Sequence, residues 1–111
     1  MSELTEAIAK FLKVLGDATR LEILELLKET EKTSEEIQNA LDRSQSTISQ
    51  QLKTLIEAEL ICFEKKGNIN YYKIKNEYIF KILNFVQSFV ITLKKEEVKR
   101  IAELDIHDTL F

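Results

Sequence analysis

Ser44-Gln45-Ser46-Thr47-Ile48-Ser49-Gln50-Gln51-Leu52-Lys53-Thr54-Leu55-Ile56, residues 44–56, is the stretch whose reading decides the fold. Ser44 has a side-chain oxygen suited to accepting from an N–H of the first helical turn, so a helix is expected to start there. At about 100° per residue, Ile48, Leu52, Leu55 and Ile56 share one arc of that helix. Ser46, Gln50 and Lys53 fall roughly opposite, Ser49 lies on the flank, and Gln45 sits in the first turn. One face of this helix belongs in a core. The other carries short polar side chains.

Upstream, Thr33-Ser34-Glu35-Glu36 has the spacing of a capping box and opens a short helix through Ile37, Ala40 and Leu41. Only Asp42-Arg43 separates the two helices, which predicts a helix-turn-helix over 34–58. Before it, Asp17 can cap a helix that buries Leu21, Leu24 and Leu27 with Ile23 on its flank. Leu4, Ile8, Phe11, Leu12 and Leu15 recur at helical spacing and end at Gly16, giving a first helix over 4–15. Downstream the period changes. Leu60 to Glu64 and Ile69 to Ile74 are rich in β-branched and aromatic residues, with turn residues Lys65-Lys66-Gly67-Asn68 between them. The helical period returns over 77–103. The expected fold is mostly α with a small β-hairpin: a single winged helix-turn-helix domain, 1–111, in the order α-α-α-α-β-β-α with its wing at 60–75.

The net charge of −3 argues weakly against a nucleic-acid partner when taken whole, but the charge is unevenly placed. Residues 43–75 carry six cations (Arg43, Lys53, Lys65, Lys66, Lys73, Lys75) against three carboxylates. Residues 1–42 carry an excess of five negative charges. The basic third therefore coincides with the helix-turn-helix and wing, although so small an excess also fits an ordinary solvated face. A single cysteine, Cys62, rules out an internal disulfide framework. The polar N-terminus has no signal-peptide core, and Lys81, Asn84, Gln87 and Ser88 interrupt the most apolar stretch, so a cytoplasmic chain without a membrane span is expected.

On a recognition helix, first-turn and outer-face residues meet base edges in the major groove. Gln45 and Gln50 have the two-point donor and acceptor geometry that adenine requires, and Ser46, Thr47 and Ser49 serve base or phosphate. Lys53 suits a phosphate, and Lys65, Lys66 and Asn68 at the hairpin tip would reach the backbone or minor groove. Taken alone, Gln45-Ser46-Thr47 also fits a plain helix start, and Lys65 to Asn68 a plain solvated turn.

Leu15 to Leu24 (Leu-Gly-Asp-Ala-Thr-Arg-Leu-Glu-Ile-Leu) and Ser44 to Lys53 resemble the two signature stretches of the ArsR/SmtB family of regulators. The hairpin with Gly67 and Tyr71-Tyr72 resembles that family's wing, and the likeness spans roughly Phe11 to Ile74. The resemblance implies a homodimeric repressor acting at palindromic operators in double-stranded DNA, often released by a metal or redox signal. It also implies DNA contact at Gln45, Ser46, Ser49 and Gln50. The family's thiolate metal box has Thr33 and Glu35 in place of its cysteines, and between Asn76 and Leu93 the last-helix site has only Glu77. No metal site, cofactor or named effector is therefore expected. His107 with Asp105 and Asp108 is either a polar tail or part of a site shared between subunits. Cys62 reads as a small strand residue, a redox role requiring a partner from a second chain.

No catalytic residues stand out. There is no Gly-rich phosphate loop, the lone histidine has no nucleophile nearby in sequence, and Glu35-Glu36 and Glu96-Glu97 point to different sides of their helices. Dimerisation is expected through the helices at 4–15 and 77–103. The apolar stripe holding Ile82, Phe85, Val86, Phe89, Val90 and Leu93 is wider than one small domain can cover, and Ile8, Phe11 and Leu12 offer a second face. Alternatives to a palindrome-binding repressor are a winged-helix scaffold subunit and a MarR-like or nucleoid-type DNA binder.

Overall fold

Local hydrogen bonds start most of the helices in the computed structural model, which describes residues 2–108, with side chains through residue 103. Ser2 caps α1 (Glu3–Leu15), accepting from the Thr5 N–H. Asp17 caps α2 (Ala18–Glu29) by accepting from Arg20 N–H at 3.0 Å. A two-residue strand, β1 (Lys32–Thr33), precedes α3 (Ser34–Leu41). There the capping box forms in both directions: Thr33 Oγ1 accepts from Glu36 N–H, and Glu36 Oε1 accepts from Thr33 N–H at 2.9 Å. Ser44 caps α4 (Gln45–Glu57). The hairpin of β2 (Ile61–Lys66) and β3 (Ile69–Ile74) follows, then α5 (Tyr78–Asp108).

The helix ends are equally specific. Asp42, between α3 and α4, takes φ 53°, and the next N–H, of Arg43, returns to Gln38 O at 3.1 Å. Aspartate tolerates this left-handed conformation better than most residues, so the turn needs no glycine. After α4, Glu59 takes φ 62°, with its N–H on Ile56 O and the Leu60 N–H on Leu55 O. This is a Schellman ending, with buried Leu55 and Leu60 at the positions of its hydrophobic contact.

Two compact units are present, Met1–Asn76 and Glu77–Phe111. In the first, α2 packs against α1, α3, α4 and β3. Ile23, Leu24, Ile37, Ile48, Leu52, Leu55 and Ile61 form its fully buried centre. On α2 the buried residues are Ile23, Leu24 and Leu27, while Leu21 is 37% exposed, so the apolar face is rotated toward Ile23 from the expected one. Both flanks of that stripe are apolar, and only the placement of the surrounding elements selects one.

The sheet has three strands in the order β1-β3-β2, all antiparallel, where two were expected. The turn is also tighter than the expected Lys65 to Asn68: Lys65 pairs with Asn70 and Lys66 with Ile69, leaving Gly67-Asn68 as a two-residue reversal. Gly67 has φ 65° at the first central position, as a II′-type hairpin turn demands. In the second unit, Ile79 is buried, whereas Phe85 and Phe89 stand 77% and 65% exposed. Among the described residues no helix is long and apolar enough to cross a membrane.

Candidate nucleic-acid interface

The inner face of α4 is held by Ile48, Leu52 and Leu55, all buried. Gln51, half-buried, adds a polar anchor: its Oε1 accepts from an Arg20 guanidinium N–H at 2.7 Å. The same guanidinium donates to Val14 O at 2.6 Å and to Lys13 O at 3.3 Å, satisfying carbonyls at the end of α1. One side chain thus ties the end of α1, the start of α2 and the middle of α4 together. Charge-assisted bonds of this kind are the stronger ones. With that face fixed, Gln45, Ser46, Ser49, Gln50 and Lys53 are all exposed on the other. Thr47 differs: it is half-buried, and its hydroxyl accepts from Ser44 Oγ at 2.9 Å within the helix cap.

Gln45 and Ser49 meet the hairpin across a groove of about 390 Å³. Thr33, Ser34 and Glu35 line it at the start of α3, and Asn68, Ile69, Asn70 and Tyr72 line it from the hairpin. Asn70, Tyr72 and Glu35 are not among the residues expected from sequence to contact DNA. Strand alternation links the first two, since Asn70 and Tyr72 are two apart on β3 and face the same way. Glu35 is the only carboxylate among the lining residues, which include no cation.

The basic stretch looks different once its partners are known. Lys73 pairs with Glu64 at 3.8 Å, Lys75 with Glu59 at 3.5 Å, and Lys66 with Glu31 at 2.5 Å. Among the described residues, Arg43, Lys53 and Lys65 are the cations of 43–75 without an ion pair. Lys65 and Lys66 also part company by alternation: Lys65, opposite Asn70, lies on one face of the hairpin, and Lys66, opposite Ile69, on the other. Lys65 and Lys66 thus stand in different surroundings on the hairpin. Lys66 is committed to Glu31, whose carboxylate holds its ammonium above the ordinary lysine range.

Of the nine residues expected at a dimer contact, eight are exposed and Phe11 is half-covered. On α1 these are Ile8 and Leu12, at 50% and 57% exposed. On α5, Ile82, Phe85, Val86, Phe89, Val90 and Leu93 leave an apolar face open, with Leu83 half-buried at its edge. Thr33, at a position where the thiolate box would have a cysteine, is occupied with capping α3. Among the described residues no three His, Cys, Asp or Glu side chains lie close enough to hold a metal ion. His107, Asp105 and Asp108 lie outside the described side chains. Cys62 is half-buried in β2 and unbonded to any other cysteine.

Residues 17–62 match the sequence profile of bacterial regulatory proteins of the arsR family. The arsenical resistance operon repressor of Staphylococcus xylosus is 36% identical over 72 residues, covering 65% of this chain and 69% of that protein. The transcriptional repressor SdpR of Bacillus subtilis is 32% identical over 78 residues, covering 70% of this chain and 87% of the relative. Among solved structures, the homodimeric winged helix-turn-helix DNA-binding domain of Mb0332 from Mycobacterium bovis superposes with a TM-score of 0.74. It is 27% identical, and the match covers 86% of this chain and 93% of that one.

Proposed function

The chain belongs to the arsR family of bacterial DNA-binding transcription regulators, and we propose that it is a homodimeric repressor that inserts two α4 helices into successive major grooves of a palindromic operator. The observation that carries this reading is the outer face of α4. Gln45, Ser46, Ser49 and Gln50 are exposed on a helix whose opposite face is locked by Ile48, Leu52, Leu55 and the Arg20–Gln51 bond. Gln45 and Gln50 read base edges, Ser46 and Ser49 serve base or phosphate, and Thr47 completes the helix cap. Lys53 and Lys65 take phosphates, and Asn68 enters the adjoining groove as the tip of the wing. A scaffold subunit would need apolar anchors where these polar groups stand, so the α4 face favours the DNA reading.

The homodimeric state of the Mycobacterium bovis relative supports the two-fold arrangement. In this chain the open faces of α5 and α1 supply the apolar surface for it. The protein would act in the cytoplasm, where operators are reached, and without the thiolate metal box, since Thr33 and Glu35 stand in place of its cysteines.

Fluorescence anisotropy against cognate and scrambled duplexes tests the assignment. Gln45→Ala and Gln50→Ala should each lose ~1–3 kcal/mol on the cognate site and leave scrambled-site binding nearly intact. Lys53→Ala and Lys65→Ala should weaken both duplexes alike and flatten the salt dependence by about one unit each. Neutral Gln45 and Gln50 variants would sink the recognition-helix assignment.

A further inference from the structure

We infer that Glu31 and Lys66 form a brace that sets the position of the wing, so that Lys66 serves operator binding through the hairpin and not by touching DNA. The inference rests on the reading of β2 and β3 as a DNA-contacting wing. β1 is only two residues long. That strand pairs with β3 only at Lys32↔Tyr72 and Thr33↔Tyr71. Beyond Tyr71 the hairpin continues as a two-stranded ribbon, Lys65↔Asn70 and Lys66↔Ile69, out to Gly67-Asn68. A ribbon of two strands is marginally stable in water by itself, and its twist and pitch are loosely set.

Lys66 runs back from the end of that ribbon on the face opposite to that of Lys65. Its ammonium passes 5.0 Å from the centroid of the Tyr71 ring and bonds Glu31 Oε1 at 2.5 Å. Glu31 sits immediately before β1, 35 residues away in sequence, at the root of the sheet. The bond therefore ties the distal ribbon to the strand that anchors it. The Tyr71 ring beneath the lysine favours the cation at that spot. The register puts Lys66 on the hairpin face opposite Lys65, which shares its face with Asn70 and Tyr72. A lysine already neutralised by a carboxylate gains little by facing a phosphate, because the bond to Glu31 would have to be given up first. Both side chains are partly exposed, 49% for Lys66 and 30% for Glu31, so the brace biases the wing and does not weld it.

The test is operator titration across a salt series with wild type, Lys65→Gln, Glu31→Gln, Lys66→Gln, the double Glu31→Gln/Lys66→Gln variant and the charge-swapped Glu31→Lys/Lys66→Glu variant. Glu31→Gln and Lys66→Gln should each weaken operator binding about two- to five-fold, the range open to an exposed pair. The double variant should be no weaker than either single one, and the charge swap should recover binding to within about two-fold of wild type. The salt slope should stay at its wild-type value in all four, whereas Lys65→Gln flattens it by about one unit. In the free protein, amide relaxation at Gly67 and Asn68 should report greater mobility in both single variants. If Glu31→Gln binds as tightly as wild type or tighter while Lys66→Gln is weaker with a flatter slope, Lys66 is a phosphate ligand and the brace is wrong. Unchanged relaxation at the tip overturns it as well. A silent Lys65→Gln has a different meaning: it removes the wing reading on which the brace depends.

Discussion

Phe89→Glu should abolish dimerisation and, with it, tight operator binding. Phe89 is 65% exposed on α5, and Phe85, Val86, Val90, Ile82 and Leu93 surround it on the same open face. An aromatic side chain offers ~200 Å² to bury, so covering the open part of Phe89 removes ~130 Å² from water. At ~25 cal/mol per Å² that is about 3 kcal/mol per protomer. A two-fold interface contains the residue twice, so the loss is about 6 kcal/mol per dimer, roughly four orders of magnitude in the dissociation constant. Two carboxylates forced into the contact add a desolvation cost in the same direction. The protomer itself should tolerate the change, because the side chain already faces solvent, and an unaltered far-ultraviolet circular dichroism spectrum would show that. Sedimentation equilibrium supplies the main readout, with dimer expected for wild type at micromolar concentration and monomer for the variant. Operator titration supplies the second, since a monomer engages one half-site. A wild-type chain that sediments as a monomer of 12.9 kDa would refute the reasoning, and so would a variant that stays dimeric.

Three further outcomes follow from particular residues. Glu59→Gly should raise stability by roughly 0.5–1 kcal/mol, since a β-carbon at φ 62° is strained and the exposed Lys75–Glu59 pair contributes little; an unchanged urea midpoint would count against that strain. Glu36 is held below the ordinary carboxylate range by its bond to the Thr33 N–H, so its contribution is present above about pH 4.5 and lost as pH falls through its lowered folded value. Glu36→Gln should accordingly flatten the acid limb of stability, and parallel acid limbs for variant and wild type would contradict the linkage. Operator binding should not respond to stoichiometric Zn(II), Cd(II) or As(III), and release at about one ion per protomer would turn attention to Cys62 and His107.

Much of the architecture was legible because its causes are local. Asp17, Thr33 with Glu36, and Ser44 each bond an N–H three residues along, so a helix start is written within four residues of sequence. The burial of Ile48, Leu52 and Leu55 follows from period alone, and with it the exposure of Gln50 and Lys53 on the far side. The left-handed Asp42 that lets α3 and α4 turn on so few residues is equally local.

What the tertiary structure decided depends on partners far along the chain. Lys32 and Thr33 are a strand only because β3 passes beside them, and two residues carry no periodic signal of their own. Leu21 and Ile23 flank the same apolar stripe of α2, and which one is buried depends on where α1, α3, α4 and β3 settle. Thr47 belonged to the polar run of α4 until Ser44 drew its hydroxyl into the cap. Charge shows the division most clearly. Six cations in residues 43–75 can be counted from sequence, but Glu31, Glu59 and Glu64 pair with three of them only after the chain has folded. Sequence fixes how many charges a segment carries. Folding fixes their separations, and because an ion pair weakens with distance, it is the fold that leaves Arg43, Lys53 and Lys65 without an ion pair among the described residues.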